Sequence, residues 1–185
     1  EELEYTRAME WSPDGKRLAY LKFDESKVPQ YAMQVWGQEN YPETHSFKYP
    51  KAGEANSLVS LWIYELETKK TLKTPISTAN DSYVASLQWT AYPQLVAVRG
   101  LDRAQQCLSL LHLQTDLMRL DTVYCDTDPA YVDVNFLEKP IYTDYSFFIT
   151  SERSGFKHIY EYDLSGSLLR QITQGPWGAR ALVWL

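Results

Sequence analysis

Short strand-forming runs separated by turn residues recur along the whole chain at a nearly constant spacing. Trp89, Val134 and Trp184 each begin such a unit, and these starts lie 45 and 50 residues apart. Trp11 precedes Trp89 by 78 residues, which is one unit plus an insertion. Units of four short strands at this period are the signature of β-propeller blades. We therefore expect an all-β fold, a partial β-propeller with about three four-stranded blades of a larger propeller. A β-sandwich or an open sheet is the alternative.

The first unit shows the local chemistry most clearly. Pro13, Asp14 and Gly15 are typical of a tight turn. Proline presets φ, aspartate bonds to its own backbone, and glycine tolerates a positive φ. After the turn, Leu18 and Tyr20 alternate with polar or small residues and so share one face of a strand. The pattern predicts strand, turn and strand over residues 7–23.

Composition supports mostly strand structure and argues against two kinds of partner. Aromatic residues make up 14% of the 185 residues, and they dominate the apolar runs together with β-branched residues. The net charge of −6 argues against a nucleic-acid partner. No apolar run approaches the roughly 18 to 20 residues of a membrane span. The chain begins at Glu1 without a methionine and stops at Leu185 within a strand-like run, so we expect a piece of a longer protein.

Residues 24–56 interrupt the pattern with an insertion that is longer than most connections in a compact β-domain. Alternation over residues 31–36, followed by a strand-like run at residues 47–50, predicts a hairpin. We interpret residues 26–50 as a projecting arm with an exposed apolar face. Such a patch indicates a protein–protein contact, and a floppy surface loop is the alternative.

Cys107 and Cys125 are the two cysteines of the chain. They flank a predicted hairpin whose turn lies near Thr115 and Asp116, which places the cysteines about opposite each other. A cross-strand disulfide is then geometrically possible. Two reduced, partly buried cysteines that act as small hydrophobic residues are the alternative.

No residue pattern predicts a catalytic site within the chain. The sequence lacks Gly-x-Ser-x-Gly, and His45, His112 and His158 are scattered, which favours structural or surface roles. The cysteine and histidine spacing predicts no zinc site, and no glycine-rich loop has phosphate-binding spacing. We therefore expect neither a metal nor a cofactor. Asp126 and Asp128 are a carboxylate pair that we expect to be solvated.

An acidic cluster opens the chain at Glu1, Glu2 and Glu4. Adjacent glutamates fixed on a structured segment can hold a cationic group such as an amine, because two carboxylates can share the three donors of an ammonium group. A solvated acidic terminus is the alternative.

Five runs together resemble the dipeptidyl peptidase IV family, which belongs to the prolyl-oligopeptidase-type serine peptidases. The resemblance is to the N-terminal β-propeller of this family, and the sequence is most similar in character to its bacterial members. The runs are the glutamates at residues 1–2, TRAMEWSPDGKRLAY at 6–20, YPKAGEAN at 49–56, RAQ at 103–105 and TSERSGFKHIY at 150–160. The resemblance covers essentially the whole chain in order. It implies a complete propeller of about eight blades.

The resemblance also implies an activity for the parent protein. Family members are serine exopeptidases that remove Xaa-Pro or Xaa-Ala dipeptides from peptide N-termini. Their catalytic triad lies in a C-terminal α/β-hydrolase domain, so we expect this chain alone to be inactive. The propeller contributes a double-glutamate motif that binds the free α-ammonium group of the substrate, and this motif falls on Glu1 and Glu2.

In this family the segment that matches the arm contacts a partner subunit, which implies a homodimer. The candidate contact residues are Tyr31, Val35, Trp36 and Tyr41. Bacterial members are typically exported to the periplasm or cell envelope, which we expect here. The alternative function is a propeller that serves as a protein-interaction or binding module without peptidase activity.

Overall fold

The computed structural model describes residues 7–78, 82–133 and 138–182, and its regular structure consists of fourteen β-strands. In chain order they are β1 (Met9–Trp11), β2 (Arg17–Asp24), β3 (Gln30–Val35), β4 (Glu43–Lys48), β5 (Leu58–Glu65), β6 (Lys70–Ser77), β7 (Ser82–Trp89), β8 (Leu95–Asp102), β9 (Cys107–Gln114), β10 (Arg119–Thr127), β11 (Ile141–Tyr142), β12 (Ser146–Ser151), β13 (His158–Asp163) and β14 (Leu168–Gln171). None of the described residues belongs to a helix that is long and apolar enough to cross a lipid bilayer.

Twelve of these strands form three four-stranded antiparallel sheets. The sheets have the strand orders β1-β2-β5-β6, β7-β8-β9-β10 and β11-β12-β13-β14. The remaining strands, β3 and β4, form a separate two-stranded sheet that is inserted between β2 and β5. A sequential four-stranded meander is the blade of a β-propeller. The prediction of a partial propeller with three blades is confirmed.

The three blades pack in series, and the second blade lies in the middle. Successive residues of β8 point to opposite sides, as the period of a strand requires. Val96 and Val98 pack in a core shared with the first blade, whereas Ala97 packs in a core shared with the third. Both faces of the second blade are therefore covered, and β8 reads as a nearly continuous apolar run for that reason.

Side chains of β7 connect the first strands of neighbouring blades. Trp89 donates its indole N–H to the backbone carbonyl of Glu10 in β1, at 2.9 Å. The adjacent residue, Gln88, donates its amide to the carbonyl of Pro140, just before β11, at 2.8 Å. The first strands of the three blades thus follow one another at one side of the molecule, as strands around a propeller axis do.

The turn between β1 and β2 folds as its sequence predicts. Gly15 has a φ of 69°, in the left-handed region that glycine tolerates. The Ser12 hydroxyl donates to Asp14 at 2.6 Å, and the backbone N–H of Lys16 donates to the same carboxylate at 3.1 Å. These two hydrogen bonds, in that order of importance, lower the pKa of Asp14.

The start of the third blade differs from the prediction. Val134 and Trp184, taken as the starts of two units, both lie outside the described residues. The sequence also predicts a strand over residues 131–136, but residues 131–133 form no strand. Val132 instead donates its backbone N–H to Gln105 at 2.6 Å, and its side chain is buried near the end of β8. The first described strand of this blade is β11, after Pro140, whose missing N–H excludes it from regular pairing.

His112 is buried where the second and third blades meet. Its Nε2 lies 2.7 Å from the hydroxyl of Tyr142, and the ring also bonds the backbone of Leu164. Burial lowers the pKa of His112 from 6.5 to about 4. Burial also raises the pKa of Tyr142, which stays a hydrogen-bond donor to the neutral ring. A neutral imidazole therefore joins the two blades.

This histidine should make stability depend on pH between about 4 and 6.5. The unfolded chain, with a normal histidine pKa, binds the proton first, so stability falls as pH is lowered through this window. The shift corresponds to about 3 kcal/mol. Urea unfolding at several pH values, compared with a His112→Gln variant, measures it, because glutamine does not titrate. Parallel pH profiles of the two proteins would contradict the assignment.

Candidate functional site

The predicted ammonium-binding residues, Glu1 and Glu2, lie outside the described residues. The chain that follows them is held in place. The backbone of Ala8 accepts a hydrogen bond from Leu21 at 2.9 Å, and the carbonyl of Glu10 accepts the Trp89 indole bond. In the sequence the two glutamates precede β1, which is the first strand of its blade.

An open groove lies beside β1 on the first blade. It has a volume of about 630 Å³ and is lined by Arg7, Met9, Leu18, Tyr20 and Tyr64 among others. The Arg7 guanidinium lies 2.8 Å from a carboxylate oxygen of Glu10, so its charge is paired. The described lining of the groove is mainly apolar and includes no Ser, Cys, His, Asp or Glu side chain.

Each histidine has the kind of role that the sequence favours. His112 lies between two blades, as described above. His158 is buried, with Nε2 3.1 Å from the carbonyl of Gly175 and Nδ1 3.1 Å from the hydroxyl of Thr173. His45 is exposed on the arm, 3.3 Å from Glu43. Among the residues that the structure describes, no cluster of three or more His, Cys, Asp or Glu side chains could hold a metal ion.

The expectation that Asp126 is solvated is wrong. Asp126 is buried, accepts the hydroxyl bond of Tyr124 at 2.9 Å, and lies 3.9 Å from the guanidinium of Arg153. These partners replace water, so the carboxylate can be buried. Asp128 is exposed and caps a turn by accepting the N–H of Ala130 at 2.7 Å. Asp126 therefore stabilises a buried contact and Asp128 stabilises a turn, and the two carboxylates do not form an acid–base pair.

Arg153, within the run at residues 150–160, organises the junction of the second and third blades. Its guanidinium lies 4.9 Å from the ring centroid of Tyr124 and 5.3 Å from that of Tyr160. It also donates to the hydroxyl of Tyr162 at 2.7 Å. Cation–π contacts of this kind gain strength where water is excluded. The run therefore has a packing role in this structure.

Two of the other runs contact each other. Arg103 donates to the backbone carbonyl of Glu54 at 2.9 Å, which connects the loop after β8 with the YPKAGEAN segment. In the same area Asn56 donates to the hydroxyl of Tyr83 at 3.2 Å. These bonds fasten the base of the arm to the second blade.

The arm has one apolar face and one polar face. Tyr31 pairs with Phe47 across the two strands, and Met33 lies on the same face. The rings of Tyr31, Phe47 and Tyr49 form a cluster with centroid separations of 5.9 to 6.1 Å. On the opposite face, Ser46 and its neighbours are polar. The apolar face is open to solvent in the isolated chain.

The four predicted contact residues differ in exposure. Tyr31 is 37% exposed, Trp36 68% and Tyr41 84%, whereas Val35 is half-buried. The sequence interpretation omitted Met33, Phe47 and Tyr49, which are also exposed. The sequence pattern could have indicated these residues, because a hairpin centred near residue 39 pairs position 31 with position 47 and so places both side chains on one face.

Cys107 and Cys125 are free thiols in the structure, and their Sγ atoms lie 3.0 Å apart. The predicted hairpin is present as β9 and β10. Its register places Thr127 opposite Cys107, so the cysteines are diagonal neighbours. The disulfide stays a prediction.

Comparison with known proteins gives the same family as the motifs. The family model described as "Dipeptidyl peptidase IV (DPP IV) N-terminal region" matches residues 1–185. Human prolyl endopeptidase FAP is 29% identical over 191 residues, which cover 93% of this chain and 25% of the relative. A probable dipeptidyl-aminopeptidase B from Pyrenophora tritici-repentis is 32% identical over 120 residues, with 57% of this chain and 14% of the relative covered.

Solved structures agree with this assignment. The crystal structure of Porphyromonas gingivalis dipeptidyl peptidase 4 matches with a TM-score of 0.86 and 35% identity, covering 96% of this chain and 26% of that one. A putative dipeptidyl aminopeptidase IV from Bacteroides ovatus shares the fold, with a TM-score of 0.78 at 22% identity. The chain thus spans about a quarter or less of these proteins. Because the family model matches every residue, the chain belongs to the dipeptidyl peptidase IV N-terminal region family.

Proposed function

We propose that this chain is the non-catalytic propeller portion of a dipeptidyl peptidase IV-like serine exopeptidase that removes Xaa-Pro dipeptides from peptide N-termini. In this role Glu1 and Glu2 bind the free ammonium group of the substrate, and the propeller gates access to the catalytic domain. The observation that carries the proposal is the family match over residues 1–185, which includes both glutamates.

The described residues support the proposed position of this ammonium site. Glu1 and Glu2 lead into β1, and β1 is tied to the next blade through the Trp89 indole bond. We propose that this carboxylate pair lies near β1 and borders the central channel of the complete propeller. A carboxylate pair also selects for a free N-terminus, since an N-terminally blocked peptide or an internal segment has no ammonium group to bind.

The test is replacement of both glutamates by glutamine in the full-length protein, read as kcat/KM on dipeptide substrates with a free amine. A propeller that serves only as a binding module predicts no change, so the experiment separates the two functions.

We further propose that the full-length protein forms a homodimer through the apolar face of the arm. The support is the exposed, aligned face formed by Tyr31, Met33 and Phe47, together with the prominent Trp36 and Tyr41. Aromatic residues of this kind are enriched in the energetically important centres of interfaces. Export to the periplasm or cell envelope is part of the same proposal, and cell fractionation of the native host tests it.

A charge on the arm should weaken this dimer. We expect Trp36→Glu to raise the dimer dissociation constant about 30-fold or more, since a buried tryptophan anchor contributes about 2 kcal/mol or more. Analytical ultracentrifugation of the full-length protein measures the change. Ser46→Glu places the same charge on the polar face of the same hairpin and should leave the dimer intact. Equal behaviour of the two variants would exclude this face as the interface.

A further inference from the structure

The β9–β10 hairpin carries two thiols on the same face near its open end. Cys125 lies opposite Ser109, and Cys107 lies opposite Thr127, so the cysteines are diagonal neighbours. Diagonal side chains of an antiparallel pair can reach each other. Their Sγ atoms are 3.0 Å apart. A disulfide needs about 2.05 Å, so the sulfurs have to approach by only about 1 Å.

A β-bulge brings these two side chains to the same face. The register of β10 shifts between Thr122 and Tyr124, and Val123 is the additional residue. If the register of Thr122 continued without a bulge, Val123 would pair with Leu110 and Asp126 with Cys107. Cys125 would then point to the opposite side of the sheet from Cys107, because neighbouring residues of a strand alternate. The bulge therefore has a chemical consequence, which is to align the two sulfurs.

The pair is accessible to reagents in solution. The sheet order places β10 at the edge of its blade, and Cys125 is exposed while Cys107 is half-buried. Next to the pair, Asp102 accepts the backbone N–H of Cys107 at 2.8 Å. Gln106 accepts the N–H of Asp128 at 3.0 Å across the same end of the hairpin. These bonds hold both strands in register beside the thiols.

We propose that Cys107 and Cys125 form a disulfide that closes the open end of the β9–β10 hairpin. The oxidant is a small disulfide such as oxidised glutathione. One cysteine thiolate attacks it, forms a mixed disulfide and releases the first glutathione thiolate. The other cysteine thiolate then attacks the protein sulfur of this mixed disulfide and releases the second. Two cysteine thiols are oxidised, one glutathione disulfide is reduced to two thiols, and these take up the two protons.

The reduced pair is expected to react slowly at neutral pH. Burial, followed by the hydrogen bond with Cys107, raises the pKa of Cys125 to about 11. Since the thiolate is the reacting species, the rate of closure should rise with pH.

The test measures the effective concentration of the two thiols, which is how readily they form a disulfide with each other relative to glutathione. The purified chain is equilibrated with reduced and oxidised glutathione, once folded and once in urea, and the fraction of linked protein is measured by mass spectrometry after acid quenching. We expect the effective concentration to be on the order of 100-fold higher in the folded chain, as for a native disulfide that closes a loop of this size. Peptide mapping without reductant should show one cross-link, between the Cys107 and Cys125 peptides.

Two single variants serve as controls. Cys107→Ser and Cys125→Ser should form only mixed disulfides with glutathione or linked dimers of the chain. Equal effective concentrations in the folded and unfolded chain would overturn the proposal, and so would two free thiols or two mixed disulfides in the folded protein. Because the measurement reads sulfur chemistry alone, its outcome is independent of the proposed peptidase function.

Discussion

Glutamine at both position 1 and position 2 of the full-length protein is expected to lower kcat/KM for free-amine dipeptide substrates about 100-fold to 1,000-fold. Each carboxylate offers the substrate ammonium a charge-assisted hydrogen bond, worth about 1.5 to 3 kcal/mol. Glutamine keeps the size and one carbonyl acceptor but removes the charge. The lost binding free energy appears in kcat/KM, because this ratio compares the transition state with the free enzyme and substrate.

A matched control is available in the same segment. Glu4→Gln removes one charge two residues after Glu2 and outside the double-glutamate motif, so it should leave kcat/KM within about twofold of the native value. An N-acetylated substrate provides the complementary control, since it lacks the ammonium group and should react equally slowly with native and doubly substituted protein. Native turnover of free-amine substrates by the double variant would reject the ammonium-binding role.

The second large effect concerns Gly166, in the turn between β13 and β14. Gly166 has a φ of 93°, and a Cβ atom there would lie 2.8 Å from the carbonyl carbon and 2.9 Å from the Cα of Val123. Val123 is the bulge residue of β10, in the neighbouring blade. Because backbone atoms cannot rotate away, Gly166→Ala has to separate the second and third blades locally. We expect the free energy of unfolding to fall by about 3 to 5 kcal/mol.

Gly155 provides a control with the same backbone strain but no contact. Its φ is 92°, and a Cβ atom at this position would meet no atom within 4 Å. Gly155→Ala should therefore cost about 1 to 2 kcal/mol through the unfavourable dihedral angle alone. Urea unfolding of the two variants measures the difference. Equal losses would show that the approach of Gly166 to Val123 does not hold the blades together.

Local sequence signals predict most of this fold because each blade is a meander of short strands. Turn chemistry at Pro13–Asp14–Gly15 and the alternation after it are properties of neighbouring residues, and both appear in the structure. The third blade is different. Its first described strand, β11, has only two residues, which is too short to produce a recognisable alternation.

Features that depend on distant residues were less accessible from the sequence. The burial of Asp126 depends on Arg153, which reaches it from the next blade. The relative position of the two cysteines depends on the bulge at Val123, and the residues around Val123 carry no sequence pattern that predicts a bulge. For the candidate site, the sequence supplies Glu1 and Glu2 only through the family motif, because an isolated acidic pair has no local feature that separates binding from solvation.

The hydrogen bonds made by Gln88 and Trp89 bear on how such a protein can evolve. In both bonds the donor is a side chain of the second blade, and the acceptor is a main-chain carbonyl of a neighbouring blade. Any residue type supplies that carbonyl, so mutations at positions 10 and 140 leave the acceptors in place. Selection on these connections therefore acts on one partner only. Neighbouring blades can therefore diverge in sequence at these positions while the hydrogen bonds between them are kept.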